Sequence, residues 1–140
     1  MWPMRLSTPI FVLCGIWLIG LGLYFALLRP ALLPEDPRYI GTSLAEIQAA
    51  VPGLERWLRR VFTVMGGFVA ASGVLTMHLA MTAGTGRRKG AGAVFALVGL
   101  LTVATMSWTN FQIGSDFRWL LLVPALLWLA GMVIFFRFEK

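Results

Sequence analysis

The chain has 140 residues, of which 59% are hydrophobic and 13% charged, and its mean hydropathy is +0.81. Soluble domains carry about 25% charged residues, so this composition excludes an ordinary water-soluble domain and makes lipid the expected solvent. The formal charge of +6 could suit a nucleic acid, but the basic residues sit at the ends of apolar runs without stacking aromatics between them, so no nucleic-acid partner is expected.

The first apolar run, Ile10 to Leu28, follows a short N-terminal stretch with one basic residue, Arg5. It is too long for a signal-peptide core of roughly 7 to 15 residues and has no small-x-small cleavage site behind it, so it reads as a retained anchor. The single cysteine, Cys14, lies inside it, which rules out an intrachain disulfide and a cluster of thiolate ligands.

The connection that follows, 29 to 60, is the most polar part of the chain. Pro30, Pro34 and Pro37 disfavour helix in the residues before them, so an extended strap is expected up to Gly41. Ser43-Leu-Ala-Glu46 is a capping box and starts a short helix, Leu44 to Val51, which is expected to lie at the membrane interface. From Leu54 the apolar residues Leu54, Trp57, Leu58, Val61 and Phe62 recur at helical spacing, so the second span begins before its membrane-crossing part at Val61. Glu35 and Asp36 could be an acid and base pair, but in an extended segment they point to opposite sides. The expectation is a solvated or salt-bridged lid built from Glu35, Asp36 and Arg38, with Asn110, Gln112, Asp116 and Arg118 of the third connection as its partners. The arginines of the long connection are expected to engage Glu46 and Glu55.

Three more apolar runs complete the count: 61–83, 91–108 and 119–136. Each suits the roughly 20 residues needed to cross a bilayer, and four such runs must be helical because they cannot close a barrel. The predicted fold is all-α, an integral membrane four-helix transmembrane bundle over residues 1 to 140, with an interfacial helix in the first loop. The short connections, Gly84 to Gly90 and Thr109 to Arg118, predict an up-and-down series for spans two to four. Trp2, Tyr39, Trp108, Trp119 and Phe138 fall near the expected interfaces. Small residues four apart predict close helix contacts: Gly66 with Ala70, Gly67 with Ala71 and Gly22 with Ala26, with Gly73 on the same glycine-rich second span.

Lys and Arg are evenly divided between the two sides. The dense Arg87-Arg88-Lys89 group, which also suits anionic lipid, decides for both termini in the cytoplasm of a bacterial inner membrane.

His78 is the only histidine and lies within the second span. An intramembrane ionisable group is a functional candidate by default. Against this stands a neutral imidazole bonded across helices to a hydroxyl such as that of Thr105. One histidine cannot supply both axial ligands of a haem. No Asp or Glu lies inside a span, the methionines suit packing better than copper, and no phosphate-loop, nucleophile-elbow or H-E-x-x-H motif occurs.

The Gly20 and Gly22 end of span one running to Pro30, the "VFTVMGGFVAASGVL" of span two, the basic turn and two plainer spans together resemble the small four-helix bacterial inner-membrane proteins grouped around DoxX. That resemblance implies a link, in some members, to quinone-dependent sulfur oxidation. It supplies no catalytic residue, and the long first loop departs from it. The expected function is therefore a non-catalytic accessory subunit, packed in lipid against other subunits of an energy-transducing membrane complex. The alternatives are a quinone-interacting redox protein anchored by His78 and a small homo-oligomeric transporter. No cofactor is expected from this chain alone; quinone, pigment or lipid are the contacts it would make.

Overall fold

The computed structural model of the chain describes residues 6–83 and 90–138, and every regular element in them is a helix. α1 is Ser7–Leu28, α2 Glu35–Ile40, α3 Leu44–Ala50, α4 Leu54–Ala83, α5 Ala91–Gln112 and α6 Arg118–Phe138. α1, α4, α5 and α6 are long and apolar enough to cross a membrane.

The four long helices pack in chain order around a ring. α1 packs along α4 on one side and α6 on the other, α6 packs on α5, and α4 touches α5 only sparingly despite the short connection between them. The ring α1–α4–α5–α6 keeps each long helix beside its neighbour in the chain, as the up-and-down series expected for the last three spans requires. A short connection fixes direction and neighbour, while side-chain complementarity sets how closely each pair lies, and α4 spends its small face on α1.

That face is antiparallel and nearly bare. A methyl carbon built on Gly22 would lie 2.5 Å from the Gly66 carbonyl oxygen, and one on Gly73 2.5 Å from that of Gly15. Ala26 and Ala70 flank the same contact. Gly15 and Gly22 are seven residues apart, as are Gly66 and Gly73, the recurrence that keeps two helices in contact along a left-handed wrap. Where both neighbours are apolar media, close backbone approach of this kind supplies dispersion that lipid tails would otherwise supply. Gly67 has nothing within 4 Å and Ala71 is exposed, so this half of the predicted small face looks outward.

The other seam is aromatic. Phe11 of α1 stacks on Phe95 of α5 with ring centroids 4.1 Å apart, and the Trp128 ring of α6 meets Phe11 edge-on at 5.4 Å. The Trp128 indole donates to the Phe95 carbonyl at 3.0 Å. Gly99 makes room for it, since a methyl there would run into Trp128 Nε1. In the next turn, Leu100–Ala104, α5 widens to π winding. The Thr102 and Thr105 hydroxyls donate to the Val98 and Leu100 carbonyls at 2.6 and 2.7 Å, helping to satisfy the loosened turn. Pro124 is fully buried within α6, where it withdraws one intrahelical bond.

The long connection is more helical than its prolines suggest. α2 occupies the middle of the expected extended strap, with Pro34 as its N-cap residue and Pro37 in its first turn. Both fall among the first N–H groups of a helix, which have no intrahelical partner, so neither costs a bond. Gly41 ends the helix with φ 83°, a left-handed conformation that favours glycine. α3 starts on the Ser43 capping box: Glu46 N–H donates to Ser43 Oγ at 3.2 Å, and Ser43 N–H to Glu46 Oε2 at 2.9 Å.

Candidate functional site

At the end where α1 gives way to the strap, the segment 29–32, α2, the start of α4 and the α5–α6 connection line a cleft of about 230 Å³. Its apolar walls include Leu32, Ile40, Leu58, Phe62 and Ile113; its charged lining is Arg29, Glu35 and Asp36.

Arg29 terminates the apolar run of α1 and is pinned on every side. Its guanidinium lies over the Phe62 ring, 3.8 Å from the centroid, and 5.4 Å from that of Phe25. One nitrogen is 3.5 Å from Asp36 Oδ2; another donates to the Pro30 carbonyl at 2.8 Å and the Ala31 carbonyl at 3.3 Å. The side chain is 9% exposed, so these contacts are held away from bulk water, where cation–π and ionic attractions are stronger. Asp36 also accepts from the Leu33 N–H at 2.7 Å, an arrangement suited to a carboxylate in the first turn of a helix.

Glu35 differs from its neighbour. It is 4% exposed, and its Oε1 accepts from the Ser115 hydroxyl at 3.0 Å. Ser115 Oγ in turn accepts from the Phe117 N–H at 3.2 Å, which directs its proton to Glu35. Among the described residues no hydrogen bond reaches Oε2. The expectation of a solvated or salt-bridged Glu35 is thus corrected: winding 35–40 as a helix turns this side chain under the strap, where its partner is a hydroxyl. Glu35 and Asp36 also line one cleft, where an extended chain would have set them on opposite sides.

On the outer surface Arg38 pairs with Asp116 at 2.8 Å, both about 60% exposed. The strap is thereby fixed to the α5–α6 connection by one buried and one exposed contact. Arg118 turns back to the Gly114 and Ser115 carbonyls at 3.3 and 3.5 Å, and Asn110 donates within α5 to Met106. The acids expected to hold the strap arginines are engaged elsewhere: Glu55 accepts from Gln48 at 2.7 Å, and Glu46 belongs to the α3 cap. Hydrogen bonds from the Thr42 hydroxyl and from the Ser43 N–H and hydroxyl hold the Glu46 carboxyl at about 2, well below its ordinary range.

His78 lies on the outward face of α4, exposed, with no side-chain hydrogen bond among the described residues. The cross-helix bond to Thr105 is absent because that hydroxyl serves Leu100 within α5. Arg87, Arg88 and Lys89 lie outside the described residues. Among the described residues no three His, Cys, Asp or Glu side chains converge as a metal site would require.

Comparison with protein-family models, curated proteins and solved structures finds no match to this chain.

Proposed function

We propose that the chain is a small, non-catalytic subunit that crosses a bacterial inner membrane four times, with both termini cytoplasmic, and packs against a larger energy-transducing membrane complex. The observation that supports this reading is the uncovered face of α4. α1 covers one side of that helix, while Val64, Phe68, Leu75 and Met81 stand exposed on the other. Gly67, Ala71 and His78 share the exposed side. Small residues admit a second helix closely, and an imidazole facing lipid alone is costly; a neighbouring transmembrane helix would answer both.

Extraction in mild detergent followed by native mass measurement tests this. An assembly heavier than the chain and its detergent is expected, and Gly67→Leu should release the chain from it. That substitution points into open space, so the α1–α4 contact survives. A chain that runs alone before any substitution would overturn the reading.

A further inference from the structure

The cleft under the strap contains a feature that packing against a larger complex does not use. Its lining sets two carboxylates against one guanidinium, and that guanidinium is already committed to Asp36, two backbone carbonyls and the Phe62 ring. Glu35 is left over. The residue is 4% exposed, one oxygen is held by Ser115, and the other, which is not sealed from solvent, has no hydrogen-bond partner among the described residues. A carboxylate with one oxygen paired and the other open to the cleft can take a cationic partner through a charge-assisted hydrogen bond.

We propose that the cleft is a binding site for the ammonium head of an apolar-bodied amine, with Glu35 as its counter-ion. An anionic ligand is disfavoured because it would meet two carboxylates and find no free cation. Leu32, Ile40, Leu58 and Ile113 supply the apolar wall for the methylene groups next to the nitrogen. About 230 Å³ is below the roughly 300 to 1,000 Å³ of pockets that enclose a whole drug-sized ligand. The cleft therefore takes the head group and its first carbons, and the remainder of the ligand lies outside, along the exposed Leu27 and Leu28 at the end of α1. An amine of this kind arrives either free or as the head of an aminophospholipid.

The test uses the full chain purified in a non-ionic detergent and titrated with octylammonium, octanol and octanoate, alongside mass analysis of lipid retained on the protein. Saturable binding of octylammonium is expected, at least roughly tenfold tighter than octanol, as a charge-assisted hydrogen bond predicts. Glu35→Gln keeps the shape and the Ser115 contact and should remove that preference; Ile40→Trp, at the exposed rim, should weaken binding by narrowing the mouth. Retained aminophospholipid displaced by octylammonium identifies the lipid source, and its absence with octylammonium still binding identifies the free amine. Equal binding of octanol and octylammonium, tighter binding of octanoate, or a Glu35→Gln chain that binds octylammonium unchanged would overturn the proposal. Because the chain is tested by itself, its failure to join a larger assembly has no bearing on the result.

Discussion

Gly22 of α1 and Gly66 of α4 meet backbone to backbone, each standing where any side chain on the other would have to go. Gly67, the next residue along, has open space over it. The two neighbours should therefore respond oppositely to the same methyl group. Gly66→Ala should destabilise the chain by about 1–3 kcal/mol, the usual cost of overfilling a packed contact. Gly67→Ala should be neutral or stabilising by about 0.5–1 kcal/mol, since it only removes a helix-interior glycine. Cys14 reports on both: its side chain is buried at 1% exposure, so maleimide labelling during heating in detergent follows unfolding.

Two indoles whose N–H groups are buried should separate in the same way. Trp128→Phe removes the indole donor to the Phe95 carbonyl and part of a buried ring, and should cost about 1–3 kcal/mol. Trp17 Nε1 is buried without a hydrogen-bond partner, so Trp17→Phe gives up no bond and should cost less. Thermal unfolding of the two variants side by side checks the ranking.

At the strap, the exposed and buried contacts should differ in weight. Arg38→Ala or Asp116→Ala removes a surface ion pair worth about 0–1 kcal/mol. Ser115→Ala strips a 4%-exposed carboxyl of its one hydrogen bond and should cost about 1–3 kcal/mol. Hydrogen exchange of α2 amides measures both, and strap opening should be more frequent in the serine variant.

The α3 cap should persist into strong acid. Its carboxyl, Glu46, is held at about 2 against an ordinary value of 4.5. A lowered carboxyl lends stability above its ordinary value, and that stability declines below it until it is lost as pH falls through the folded value. The Ser43 amide proton shift should therefore titrate near 2 in the intact chain. Thr42→Val should move the midpoint upward by removing the largest contribution, and Glu46→Gln should abolish the titration.

Much of this architecture is legible in the residues. Apolar run lengths predict four membrane-length helices, and Ser43 and Glu46 locate the start of α3. The stripe from Leu54 to Phe62 locates the start of α4 before its membrane-length part. The helix at 35–40 escapes because Pro34 and Pro37 read as helix breakers unless both fall on N–H groups that need no partner. The burial of Glu35 escapes with it. The spacing-four pairs Gly22 with Ala26 and Gly66 with Ala70 do mark one end of the α1–α4 contact, whereas its Gly15 end escapes that search because Gly15 has no small neighbour four residues away. The order of the helices around the ring follows from the short connections, but how closely each pair lies depends on which faces fit, and no local signal states that.

The closest pairings, α1 with α4 and α5 with α6, divide the chain into two self-matched halves. Once residues up to Ala83 have been made, α1 already holds its glycine partner, and the later half carries its own clasp in Trp128 and the Phe95 carbonyl. The two halves meet chiefly along the Phe11 seam and through the strap's hold on Ser115 and Asp116. A cut between Ala83 and Ala91 would thus separate two hairpins, each internally complete, and leave side-chain fit alone to bring them back together.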